Sequence, residues 1–347
     1  MSTACAYGLD SQARSLCPLY HPLLSSQECH RFLIGTASSS VANKIHLIEY
    51  QDSMKSLECV TVWSHDDPVM GLWCSPSLSE DSLLAVSSLQ KLEIFRISED
   101  VMSEPKSLAT IRKRYSCVLW DLDGLQSEFK VVHENTITTI LLSSSKIGTE
   151  MVNYKSSGGP IRCAALAPYD PTLCLISSDV DGLQLVDLRS KKEISFESSK
   201  HRHGFGYTTA IDFDRLKPGQ FLSAGTDGYV YIHDIRYNAS CSLAMLQHIK
   251  AHEHSVQSCL FNTFRDELIL SGSSDATLKL WDVEQINEPK CLRRLADYGD
   301  SVVSLCWSSS SPWVFAGLSF NGKLLVDTVP NEKKMSILLD EKKWCEA

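Results

Sequence analysis

Two groups of residues in this chain have the types that catalysis uses. Val118-Leu-Trp-Asp121-Leu-Asp123-Gly124 is an apolar strand running into D-x-D-G, where a first Asp would attack a phosphoryl group and a second would act as general acid. His252, Ser271, Asp275 and Trp281 place an imidazole and a carboxylate in one short stretch, as general-base sites do.

Each group needs a particular scaffold. The aspartyl pair must feed a parallel α/β sheet with helices between its strands. Here Phe129-Lys-Val-Val132 and Thr136-Ile-Thr-Thr-Ile-Leu-Leu142 follow directly, and both are strand-like, so Asp121 and Asp123 read as part of a hairpin turn. GxSxG, Walker-type lysine loop and HExxH motifs are absent from the sequence, which removes other common catalytic machinery. No catalytic residue is expected, and the chain reads as a non-enzyme without a small-molecule substrate.

Internal repetition accounts for the His–Asp group. Ser271-Gly-Ser-Ser-Asp275-Ala-Thr-Leu-Lys-Leu-Trp281-Asp282 recurs upstream as Ser223-Ala-Gly-Thr-Asp227 through His233-Asp234, and downstream as Ala316-Gly-Leu-Ser-Phe-Asn321 through Val326-Asp327. Asp187, Asp234, Asp282 and Asp327 mark a period of about 45–48 residues, the length of a WD-repeat blade. Within a unit, short runs rich in strand formers are separated by turn residues. Such a four-stranded sheet has two faces to bury and does so between its neighbours.

The chain is therefore expected to be all-β: a single seven-bladed WD-repeat β-propeller of four-stranded antiparallel blades. The propeller domain is placed at 1–339, with blades near 13–60, 65–112, 116–152, 161–197, 205–248, 254–295 and 301–339. A short charged tail follows at 340–347. Either Tyr7-Gly8-Leu9 or Ile337-Leu338-Leu339 would supply the strand that closes the ring.

His252, Ser271, Asp275 and Trp281 have the spacing of the WD-repeat structural tetrad, a hydrogen-bonded chain that fixes a loop against a turn. His203, Ser223 and Asp227 form a partial copy, with His233 where Trp would stand.

The formal net charge is −9 and the pI about 5.7, which disfavours nucleic acid and anionic lipid as partners. Arg112-Lys113-Arg114, Lys191-Lys192 and Lys200 with Arg202 read as solvated loops. The first twenty residues lack a signal-peptide core, and no eighteen apolar residues run together, so a cytoplasmic chain without membrane insertion is expected. The thirteen cysteines include no CxxC pair. Cys74, Cys163, Cys259 and Cys306 fall in apolar strand patterns, where cysteine packs as a small hydrophobe, and neither metal nor cofactor is implied.

Loops on the propeller's narrow face are where a rigid scaffold carries function. By repeat position Met70, Tyr207, Thr226, Ser255, Ser274, Asp300 and Phe320 form the candidate protein-binding rim.

The run Asp300-Ser-Val-Val-Ser-Leu-Cys-Trp307 through Asn321-Gly-Lys-Leu-Leu-Val-Asp327 to Pro330, then Ile337-Leu-Leu339, resembles the end of the EARP-and-GARP-complex-interacting protein family. Tyr7-Gly-Leu-Asp-Ser-Gln-Ala-Arg14, Arg31-Phe-Leu-Ile-Gly-Thr36 and Asn43-Lys-Ile-His-Leu-Ile48 are similar to its first blade, and Asp187-Leu-Arg189 and Asp234-Ile-Arg236 to its middle. The resemblance implies a scaffold that binds the EARP and GARP tethering complexes, recruited through them to endosomes and the trans-Golgi network, and supporting endosomal recycling and retrograde transport. A rival is a substrate receptor of a cullin-RING ubiquitin ligase, which carries W-D-x-R at a blade's third strand. Asp187 with Arg189, and Asp234 with Arg236, keep the charged pair but replace Trp with Val186 and His233.

Overall fold

The computed structural model describes residues 4–20, 28–76, 82–98, 100, 102–121, 128–143, 146–195, 203, 206–235, 244–285 and 288–345. Seven four-stranded antiparallel sheets stand in a ring. In six of them the strands follow chain order. Blade 6, for example, runs Val256–Phe261, Leu268–Ser273, Leu278–Asp282 and Lys290–Leu295. The second strand of each blade is rich in apolar residues, as in Leu268-Ile-Leu270, because it lies mid-sheet with both faces covered.

Among the described residues the core consists of seven apolar clusters, one at each junction between neighbouring blades. Phe221 and Leu185 meet between blades 4 and 5, and Leu278 and Tyr298 between blades 6 and 7. No blade buries its own faces, so the ring stands or falls as a unit.

The two candidates for ring closure differ in outcome. Cys5–Gly8 pairs antiparallel with Lys323–Thr328 and supplies the outer strand of blade 7. Ile337-Leu338-Leu339 lies instead in the helix Asn331–Cys345. The segment follows Pro330, opens with Glu332 in its first turn, and continues through strong helix formers without a β-branched run. Ile337 packs into the cluster between blades 6 and 7, and Lys333 bridges to Asp282 and Glu284 at 2.8 and 2.7 Å. The domain boundary placed at 339 thus falls inside a helix, and the segment taken for a tail from 340 is helical through Cys345.

The third blade, which holds Asp121, is also antiparallel throughout. Cys117–Trp120 pairs with Glu128–His133, which pairs with Thr136–Ser143. Asp121 directly follows an inner strand, while Asp123 and Gly124 lie outside the described residues. Among the described residues no parallel sheet receives this motif.

Candidate protein-interaction faces

The tetrad of blade 6 is a closed relay. The Trp281 indole N–H lies 3.0 Å from Ser271 Oγ, which is 2.8 Å from His252 Nε2, and His252 Nδ1 is 2.9 Å from Asp275 Oδ2. An indole N–H can only donate, so Ser271 passes its own proton to His252 Nε2, and His252 Nδ1–H points at the carboxylate. Burial holds His252 below its ordinary pKa, against the pull of Asp275. Burial also pushes Asp275 up, but the Thr277 hydroxyl and His252 outweigh it and hold the carboxyl below the usual range. His252 and Ser271 are almost fully buried, so the group ties a turn to the strand rather than meeting a substrate.

Blade 5 keeps the same relay with a different first donor. His233 Nε2 lies 3.0 Å from Ser223 Oγ, His203 Nε2 lies 3.2 Å from that oxygen, and His203 Nδ1 is 2.8 Å from Asp227 Oδ1. His233 therefore takes the Trp role, which the sequence pattern alone scored as a loss. In blade 7 the equivalent positions are Tyr298, Gly317, Asn321 and Asp327. A Cβ on Gly317 would sit 2.4 Å from the Tyr298 hydroxyl, so glycine in the Ser position makes room for a phenol in the His position.

The relays set the turns between the second and third strands on one end of the ring, called here the upper face. Backbone bonds join each turn to the segment leading into the same blade's first strand: Thr226 N–H to Tyr207 O at 3.0 Å, Ser274 N–H to Ser255 O at 3.0 Å and Phe320 N–H to Ser301 O at 2.9 Å. In blade 2, Met70 N–H reaches Ser87 O at 2.8 Å. The rim residues Tyr207, Thr226, Ser255, Ser274, Asp300 and Phe320 thus share this face, and Met70 turns toward the ring axis, where it lines a central cavity.

Tyr207 is 47% exposed and lies 4.3 Å beneath the Arg162 guanidinium, which is itself held by Asp179. Phe320 lies 5.0 Å from Arg14. A cleft of about 510 Å³ crosses the junction of blades 7 and 1, lined by Asp10, Ser39, Val41, Asp300, Phe320 and Asn321. Its two carboxylates and apolar walls suit a basic, partly apolar chain segment.

Three upper-face residues escaped sequence reasoning. Val41, Leu89 and Val180 occupy the turns of blades 1, 2 and 4 and are 60%, 49% and 62% exposed. Their signal was present: each is an apolar residue in a turn otherwise built from Ser, Asp, Gln or Ala, as in Asp179-Val180-Asp181.

The other candidates scatter. Asp187 accepts from Ser190 Oγ at 2.7 Å and Arg189 N–H at 2.9 Å, and the Ser190 hydroxyl and these amides hold its carboxyl low. Its work is to close the turn after the third strand, while Arg189 extends into solvent. Asp234 is buried, and Arg236 lies outside the described residues. Among the described residues no cluster of ligating side chains has metal geometry. Burial keeps the inner-strand thiols protonated, with Cys74, Cys117 and Cys163 pushed up to about 12.

Along the ring axis the first strands enclose two adjoining cavities of about 420 and 300 Å³. They meet at the lower end, around Tyr20, Trp73, Trp120, Asp212, Phe213 and Arg215.

A family model described as the EIPR1 beta-propeller matches residues 1–281. The chain belongs to that family. A second model, the WD domain, G-beta repeat, matches residues 289–326. The chain is 25% identical to "WD repeat-containing protein DWA2" of Arabidopsis thaliana over 94% of this chain and 97% of that protein. It is 24% identical to "EARP and GARP complex-interacting protein 1" of Homo sapiens, covering 96% and 98%, and 23% identical to "EARP-interacting protein 1" of Caenorhabditis elegans, covering 97% and 99%. The two family matches together take in every rim residue, from Met70 to Phe320. Among the described residues no helix is long and apolar enough to cross a membrane.

Proposed function

We propose that this chain is a non-enzymatic scaffold that binds the EARP and GARP tethering complexes and, through them, sits peripherally on endosomes and the trans-Golgi network, supporting endosomal recycling and retrograde vesicle transport. The observation that carries the reading is similarity over nearly the whole of both chains to human and nematode proteins named for those interactions. The upper face supports it: Val41, Tyr207 and Phe320 are offered to a partner by turns locked to a rigid ring. Backbone hydrogen bonds tie these segments to the ring, Ala37 N–H to Gln12 O, Thr226 N–H to Tyr207 O and Phe320 N–H to Ser301 O, so little ordering entropy is spent on binding. Binding through a cleft bearing Asp10 and Asp300 favours a basic partner segment and weakens as salt rises.

Affinity purification of the tagged chain from cell lysate, with co-purifying proteins identified by mass spectrometry, tests this. EARP or GARP subunits are expected with the wild type and lost with the Tyr207→Ala, Phe320→Ala double variant. Recovery of cullin-ligase components without tethering subunits would overturn the reading.

A further inference from the structure

The lower end of the axial cavity lies apart from the upper face, and its chemistry is independent of the function proposed above. Its walls are aromatic. Trp73 and Trp120 come from the inner strands of blades 2 and 3, with the Trp120 indole N–H donating to Trp73 O at 3.3 Å, and Tyr20 and Phe213 stand beside them. A carboxylate sits at the centre of this setting. Asp212 belongs to the inner strand of blade 5, and its Oδ2 accepts the Phe261 N–H of blade 6 at 2.9 Å. Phe213 N–H also bonds to it.

Asp212 has an unusual position in the repeat. Blades 6, 7 and 1 put Leu260, Cys306 and Cys17 at the equivalent place, which are the apolar residues an enclosed channel calls for. Among the described residues Asp212 has no salt-bridge partner: Arg215 is exposed at the mouth and acts on it only through its field. Burial pushes the Asp212 carboxyl up to about 7, partly offset by Arg215 and the two backbone amides, with Asp214 adding to the rise. Of the nearby titratable groups, Tyr20 is raised by burial, and the Cys17, Cys74 and Cys306 thiols are held protonated in the same way. A partly buried carboxylate that no cation touches is costly, and a cation brought into contact with it recovers part of that cost.

We propose that the lower mouth of the axial cavity captures an arginine side chain from a protein partner, its guanidinium stacked on Trp73 and Trp120 and paired with Asp212. A guanidinium is planar and weakly hydrated, and it satisfies an aromatic face and a carboxylate at once. The adjoining cavities, of about 420 and 300 Å³, are of binding-pocket size. The lining also carries Asp121, just past the Trp120 strand.

The test is nitrogen–proton NMR of the indole groups in the full chain, with resonances assigned through Trp73→Phe and Trp120→Phe. The probes are three capped pentapeptides, Gly-Gly-X-Gly-Gly, with X arginine, norleucine or glutamate. The arginine peptide is expected to shift the Trp73 and Trp120 resonances saturably, norleucine to leave them in place, and Asp212→Asn to weaken binding on the order of tenfold, the worth of one charge-assisted hydrogen bond. Asn retains an acceptor for Phe261 N–H, and an unchanged melting temperature in that variant separates lost binding from lost fold. Three results would each overturn the proposal: no shift with arginine, equal binding by Asp212→Asn, or binding of the glutamate peptide, which would make Arg215 the reader.

Discussion

Replacing Ser271 with Ala removes one oxygen and breaks two contacts. Ser271 is fully buried, and its Oγ holds Trp281 Nε1 at 3.0 Å and His252 Nε2 at 2.8 Å. Ala leaves both ring nitrogens without these partners in a buried site. Each unsatisfied buried group costs about 1–3 kcal/mol, so the variant is expected to lose about 3 kcal/mol. With an unfolding entropy of about 2.1 cal/mol/K per residue over 347 residues, each kcal/mol moves the melting temperature about 1.4 °C. The expected drop is therefore about 4 °C by circular dichroism or calorimetry. Ser274→Ala is the control, since that hydroxyl makes only a 3.3 Å bond to Ser255 O, and it should move the transition by less than about 1 °C. A Ser271→Ala shift as small as the control's would refute the claim that the relay, rather than strand packing, secures the upper turns.

Gly317→Ser brings blade 7 closer to the repeat pattern yet should destabilise it by about 1–3 kcal/mol, because the new Cβ meets the Tyr298 hydroxyl at 2.4 Å, and adding Tyr298→His should recover part of the loss in the same melting assay. Deleting residues 1–8 strips the outer strand from blade 7 and exposes the edge of Lys323–Thr328, so light scattering should detect association that the intact chain does not show. Burial holds His30 down to about 4 from 6.5, so it is neutral in the fold at pH 7, with Nδ1 at 2.9 Å from Ser308 Oγ. A pKa lowered on folding gives stability that is full above 6.5 and lost as pH falls toward 4, on the order of 2 kcal/mol. A pH series of melting temperatures should fall across that window, and less so in His30→Gln. Finally, Tyr207→Ala with Phe320→Ala should leave the melting temperature within about 2 °C of wild type, since both side chains lie at the rim, while abolishing partner capture.

Much of this was legible in the residues because a repeat writes the same constraint several times. The 45–48-residue period and the tetrad spacing marked the last four blades, and apolar first strands such as Val69-Met-Gly-Leu-Trp73 and Cys117-Val-Leu-Trp120 gave the count of seven, including the third, where Asp121 imitates a phosphotransferase strand. Two features were not legible. Tyr7-Gly-Leu and Ile337-Leu-Leu are both short apolar runs, and telling them apart required weighing the helix-forming residues that surround Ile337 after Pro330, which the apolar run alone conceals. The second was function hidden by substitution: His233 breaks the Trp pattern yet keeps an N–H at 3.0 Å from Ser223, a matter of atom position rather than residue type. The rim positions followed from repeat register, but Val41, Leu89 and Val180 required knowing which turn residues stay exposed. Asp212 went unremarked because a single carboxylate in an inner strand has no motif, and its meaning comes from Trp73 and Trp120 on other blades.

Binding between purified components is the decisive test of the scaffold role. The full chain mixed with reconstituted EARP complex should co-elute in size-exclusion chromatography at low salt, dissociate progressively as salt is raised, and fail to co-elute when Tyr207 and Phe320 are replaced. A folded wild-type chain that elutes alone at every salt concentration would contradict it.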